Sequence, residues 1–162
     1  MNTRPTTDRV KESIFNIISN LLAGAAVLDL FAGSGSLGIE ALSRGARQTI
    51  FCDKDLPTTK LIKKNLSHCK LEENSVVLNC DFMTAIKKFE EKSIDIVFLD
   101  PPYSTGLLQR AIKELICANI LTSDAIIIAE HPKAESLEAF NPFRTERYGD
   151  ICISFIKGAE AV

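Results

Sequence analysis

Five short apolar runs, each the length of a β-strand and each preceded by a segment with helical spacing, are what most restrict how this chain can fold. They occupy residues 25–30, 48–52, 76–78, 94–99 and 125–129. Runs that are apolar at nearly every position suit strands buried on both faces, which requires a largely parallel sheet with helices packed on either side. The helical patterns fit between them. Val10, Ile14, Ile17, Ile18 and Leu21 mark an amphipathic helix over about 8–21, with Asp8 as its cap after Pro5 and Gly24 as its end. Further helices are expected through 41–45, around Leu61, Ile62, Leu66 and Cys69, over 84–89 and over 107–116. The tail, about 144–157 and broken by Tyr148-Gly149-Asp150, reads as a hairpin that brings one antiparallel strand into the sheet. The expected fold class is therefore α/β, a doubly wound sheet in one domain spanning 1–162.

Composition narrows the function classes. With 46% hydrophobic and 25% charged residues the chain is an ordinary globular one, not a disordered or fibrous one. Nineteen basic residues against twenty-one acidic ones leave a net charge of −2, so any nucleic acid must be held by a local patch. The cysteines Cys52, Cys69, Cys80, Cys117 and Cys152 form no Cys-x-x-Cys pair, and His68 and His131 lie far apart. That argues against a zinc site and against a Ser-His-Asp triad, and reads as reduced structural thiols with no metal. No apolar run is long enough for a membrane span or a secretory leader, so a cytoplasmic protein is expected.

In a sheet of this kind, ligands bind beyond the carboxyl ends of the strands, where the strand order reverses. Those ends carry the unusual residues. Asp29 and Phe31 lead into Gly33-x-Gly35-x-x-Gly38, a turn in which glycines let backbone N–H groups approach a ligand. Asp53 follows 24 residues after Asp29, about where an acid can accept from a ribose diol. The two together imply an adenosine-containing cofactor, either NAD or S-adenosylmethionine. An acid at Asp29 suits a ligand with a cationic amino group better than a pyrophosphate, which favours S-adenosylmethionine. Asp81 and Phe82, at the third strand end, either receive an adenine ring or serve as a helix cap and a core residue.

Asp100-Pro101-Pro102-Tyr103 is the sharpest signal. An exocyclic amine of adenine or guanine is a poor nucleophile because its lone pair is delocalised into the ring, so a catalyst must accept hydrogen bonds from its protons. A carboxylate and a proline carbonyl supply two acceptors. Successive prolines fix φ and remove competing N–H donors, and an aromatic next to them can stack on an extruded base. A positioned amine attacking an activated methyl group needs no metal.

These residues resemble the bacterial family of small-subunit ribosomal RNA guanine-N2 methyltransferases, class I S-adenosylmethionine enzymes. The resemblance runs through residues 4–16, 28–35, Asp53, Asp100-Pro101-Pro102-Tyr103 and Arg147-Tyr148-Gly149. It implies a Rossmann-like three-layer sandwich whose seven-stranded, mostly parallel sheet has the order 3-2-1-4-5-7-6 and one antiparallel strand. It further implies that Asp29, Phe31, Gly33 and Gly35 cradle the methionine portion, Asp53 the ribose, and Asp81 with Phe82 the adenine. Asp100 and Pro101 would then orient the amine, Pro102 would stiffen the corner and Tyr103 would stack on the base. Arg4, Arg9, Arg147 and Tyr148 would meet substrate, with ribosomal RNA or the assembling small subunit as partner and a monomer as the working unit. Family members usually carry a short basic hairpin ahead of the block that opens here at Arg4, and a Glu where this chain has Asp53. Competing readings are N6-adenine methylation of DNA, a NAD-dependent oxidoreductase, and a non-catalytic RNA-binding assembly module.

Overall fold

A carboxylate that caps a helix can start it well ahead of its first apolar residue, and two helices here begin that way. Asp55 accepts from the amide of Thr58 at 3.1 Å, and with Pro57 in the first turn it launches α3 (Leu56–His68) before Leu61. Asp81 likewise accepts from the Thr84 amide at 2.8 Å, so α4 runs Phe82–Ile86 and not 84–89. The first helix, α1 (Pro5–Ile17), opens on its proline, which leaves Asp8 inside the first turn instead of capping it. A separate 3-10 turn at Ser19–Leu21 completes the segment. The structure, a computed structural model, describes residues 5–102 and 106–158, with side chains from Asp8 onward.

The remaining elements are β1 (Ala26–Leu30), α2 (Ser36–Ser43), β2 (Gln48–Asp53), β3 (Ser75–Asn79), β4 (Ile94–Leu99), α5 (Leu107–Cys117), β5 (Leu121–Pro132), β6 (Arg144–Tyr148) and β7 (Ile151–Lys157). They build one seven-stranded sheet in the order β3-β2-β1-β4-β5-β7-β6, in which β7 alone runs antiparallel to its neighbours. The order and the single reversed strand are those the resemblance implies. β1 lies at the centre with β2 on one side and β4 on the other, so the chain reverses direction across the sheet there, and a crevice opens at the carboxyl ends of these strands.

Pleat alternation divides the core into two faces. Leu28, Leu30, Val97, Leu99, Ile127 and Ala129 pack under α4 and α5, which contribute Ala85, Ile86, Leu108, Ala111, Ile112 and Leu115. Val27, Ile96, Phe98 and Ile128 face the other way, onto Val10, Ile14 and Phe15 of α1, with Phe15 and Phe98 in tilted ring contact at 5.7 Å. Burying side chains of this size contributes roughly 1.5–3 kcal/mol each, which is what holds α1 across β4 and β5. Tyr148 hydrogen-bonds the hydroxyl of Ser13, so the β6–β7 hairpin is tied to the same helix.

Candidate active site

The loop between β1 and α2 owes its shape to left-handed backbone. Phe31 (φ 63°), Gly33 (φ 57°) and Gly35 (φ 82°) all have positive φ, a region that costs an L-residue about 1–2 kcal/mol and glycine little. Phe31 carries that strain, with its ring 5.5 Å from the Phe82 ring. The loop is pinned from three sides: Ala32 N–H donates to the Cys52 carbonyl at 2.9 Å, Asn65 donates to the Ser34 carbonyl at 2.9 Å, and Gly33 N–H donates to the Asp53 carboxylate at 3.2 Å. A side chain at Gly33 would meet nothing within 4 Å, so this stretch of backbone stands open.

It opens onto a cleft of about 970 Å³ at the carboxyl ends of the strands. Phe31, Gly33, Asp53, Asp81, Phe82, Asp100, Pro101 and Pro102, all singled out from the sequence, line it together. Asp29 and Gly35 are not in its wall. Gly35 is packed beneath the loop against Phe51 and Ile62, and the carboxylate of Asp29 lies under α2, where it accepts from the Gly38 amide at 3.0 Å. Arg4 and Tyr103 lie outside the described residues. Arg9 is exposed on α1, and Arg147 is exposed on β6 with its guanidinium donating to the Gly149 carbonyl at 3.3 Å. Tyr148 is committed to Ser13, away from the cleft wall.

The sequence reading missed Glu130, which lines the cleft beside Asp100. A signal existed: it is the first charged residue after the apolar run 125–129, as Asp100 is after 94–99. Cys52 and Cys80 also line the cleft, their thiols in contact, and both are free. Burial pushes the Cys52 thiol far up, which makes it inert. His131 is a satisfied core residue, with Nδ1 on the Pro132 carbonyl at 3.0 Å and Nε2 on Ser154 Oγ at 2.8 Å. Among the described residues no group of His, Cys, Asp and Glu could hold a metal, and no helix is long and apolar enough to cross a membrane. A smaller hollow of about 240 Å³ sits at the opposite ends of the strands, where Asp95 merely accepts from the Ala26 amide and Thr122.

Electrostatics distinguish the acids. Asp81, exposed and accepting from the amide of Thr84, is held below the usual carboxylate range. Burial pushes the Asp29 carboxyl up to about 8, the Gly38 amide opposing and the Asp53 charge adding to the rise. Asp100 is raised as well, by burial first and then by the charge of Glu130 and a hydrogen bond to it, with Asp29 contributing. Its side chain reaches water through the cleft mouth while protein surrounds it on the remaining sides, which is why burial still dominates.

The rise at Asp29 has a sign for stability. Unfolded, this carboxyl loses its proton near 3.8, and folded it keeps the proton up to about 8. Between those values the unfolded chain is the ionised one, so stability falls with rising pH by up to about 1.4 kcal/mol per pH unit. Asp29→Asn keeps the acceptor for Gly38 and removes the titration. Urea unfolding is expected to show the variant gaining about 2 kcal/mol on the wild type between pH 5 and pH 7. A difference independent of pH would mean that Asp29 is charged in place.

The family model described as conserved hypothetical protein 95 matches residues 1–157. The chain belongs to that family. Its curated relatives include the ribosomal RNA small subunit methyltransferase D of Haemophilus influenzae, 40% identical over 83% of this chain and 70% of the relative. YlbH of Bacillus subtilis, for which rRNA methylation is proposed, is 41% identical over 84% of this chain and 75% of its own. Among solved structures, yhhF of Escherichia coli superimposes with a TM-score of 0.85 at 34% identity, covering 96% of this chain and 88% of that one. The family is thus one of small-subunit rRNA methyltransferases, and its cofactor is S-adenosylmethionine. The cleft fits that cofactor: an open glycine backbone, an acceptor at Asp53 and an apolar wall of Phe31 and Phe82 lie side by side. A pyrophosphate fits less well, since the Gly38 amide near the start of α2 is already taken by the Asp29 carboxyl.

Proposed function

We propose that this chain transfers a methyl group from S-adenosylmethionine to the exocyclic N2 amine of a guanine in small-subunit ribosomal RNA. The observation that carries the reading is that Asp100 and Pro101 open into the same cleft as Gly33 and Asp53, so an acceptor corner for an amine and a cradle for a nucleoside share one space. Phe31 and Gly33 would hold the methionine portion, with Asp29 and Gly35 shaping the loop from below; Asp53 would take the ribose and Phe82 the adenine. Asp81, although its carboxylate caps α4, keeps a place on the wall near that ring.

Bound there, the sulfonium supplies an electrophilic methyl carbon. The protein's share is orientation. The Asp100 carboxyl and the Pro101 carbonyl accept the two amine protons and turn the nitrogen lone pair out of conjugation, while Pro102 stiffens the corner. The amine that gains the methyl group, its former sulfur carrier leaving as the neutral thioether, sheds one proton, for which the Asp100–Glu130 carboxyl pair would be the acceptor. Tyr103 would stack on the base. Arg4, Arg9 and Arg147 would contact phosphates, Arg9 and Arg147 being carried by α1 and the hairpin that the Tyr148–Ser13 bond links.

Two measurements test this. Saturating S-adenosylhomocysteine is expected to raise the melting temperature by about 5–10 °C, the linkage energy at a hundredfold excess over Kd being about 2.7 kcal/mol, and NADH is expected to leave it unchanged. Labelled methyl groups should then appear as N2-methylguanosine in small-subunit RNA taken from cells that lack the enzyme. Stabilisation by NADH alone, or label confined to adenine, would end the reading.

A further inference from the structure

We infer that Glu130 identifies the target base as guanine, by accepting the ring N1–H next to the amine that Asp100 holds. This rests on the proposed guanine-N2 reaction and extends it to the choice of base. The sheet register sets up the pair. Leu99 of β4 is partnered with Ala129 of β5, so the following residues, Asp100 and Glu130, come opposite each other at the carboxyl end of the sheet. Their side chains share a hydrogen bond, and both line the cleft beside Pro101. Two carboxyl groups side by side present adjacent acceptor oxygens to the cleft.

Guanine presents two adjacent donors on that edge, N1–H and the N2 amine. Adenine presents an amine next to N1, which carries no proton and is itself an acceptor. An acceptor oxygen of Glu130 therefore gains a hydrogen bond from guanine and meets a lone pair on adenine. The raised proton affinity of Asp100 agrees with this division. Burial and the neighbouring Glu130 favour the protonated form of Asp100, whose O–H points to Glu130 while its other oxygen remains an acceptor for the amine. Asp29 stands behind the pair on β1, and Asp8 and Lys11 of α1 line the same cleft.

The test uses 2-aminopurine, which has the N2 amine but lacks the N1 proton. Once the target nucleotide has been mapped, two RNA substrates are prepared with guanine or 2-aminopurine at that position, and kcat/KM is measured on each. The wild type is expected to prefer guanine by on the order of 10- to 100-fold, the discrimination that a paired base contact gives. Glu130→Gln can donate its amide to the bare N1, so the preference is expected to shrink at least tenfold, while the S-adenosylhomocysteine melting shift stays at the wild-type value. Equal wild-type turnover of the two substrates would overturn the inference, as would an unchanged ratio in a folded, cofactor-binding Glu130→Gln. If the wild type methylates no guanine at all, the proposed reaction falls with it, whereas N2-methylguanosine formed without base preference removes only the role of Glu130.

Discussion

Asp100→Ala is expected to lower the rate of methyl transfer to ribosomal RNA by about 10²–10⁴-fold, the range for removing a group that orients and deprotonates a reacting atom. Binding of S-adenosylhomocysteine should survive, because the loop backbone, Asp53 and the Phe31–Phe82 wall are built by β1, β2 and α4. The fold should survive too. Asp100 is exposed at the carboxyl end of β4, so truncating it opens no cavity in the core. Asp100→Asn, which keeps one carbonyl acceptor, is expected to recover about tenfold over alanine. The carboxyl of Asp100 is raised, so the wild-type rate should climb as pH rises through that range and an ionised acceptor forms; Asp100→Asn should be flat there. The charges facing this group are Glu130 from β5, Asp29 from β1 and, across the cleft, Asp8 and Lys11 from α1. Single-turnover transfer of labelled methyl is the measurement, and an Asp100→Ala rate within threefold of the wild type would remove the carboxyl from the chemistry.

The second large effect is on folding. Gly38 is the last glycine of the loop motif, and a Cβ built there would stand 2.4 Å from Phe51 Cε2 and 2.8 Å from Thr49 Cγ2. Neither neighbour can give way easily. Phe51 is fully buried among Leu42, Ile62 and Leu66, and Thr49 is fully buried beside it on β2. Gly38→Ala should therefore push α2 off the sheet, stretch the Gly38 amide away from Asp29 and cost about 3 kcal/mol. In a chain of this size that is roughly 6–12 °C in melting temperature. A shift below 2 °C would show that α2 does not depend on this close approach. The glycine spacing reads either as a turn that a ligand can approach or as packing of helix on strand, and Gly38 serves the packing.

The alternation of elements was legible because it is local. The five runs and the gaps between them locate every strand of the parallel part, and the hairpin follows from Tyr148-Gly149-Asp150. Boundaries slipped where a side-chain cap starts a helix among polar residues, as Asp55 does for α3 and Asp81 for α4. Asp81 looked equally like a cap and a ligand acceptor, and the structure shows the cap while leaving the residue on the cleft wall. Glu130 went unread although it occupies the same place on its strand as Asp100 does on β4, because nothing near it in the chain marks it as special.

By itself the sequence determined which segments are strands, that they pair mostly in parallel, and that acids stand at their carboxyl ends, since periodicity and punctuation are properties of neighbouring residues. Only the tertiary structure decided which of those acids share a space. Whether a carboxyl meets an amide beneath a helix, as Asp29 does, or another carboxyl across a strand, as Asp100 does, depends on which strand lies alongside and on which face of the pleat the side chain falls. Those relations join residues as many as thirty positions apart in a chain whose local pattern is the same for every pairing.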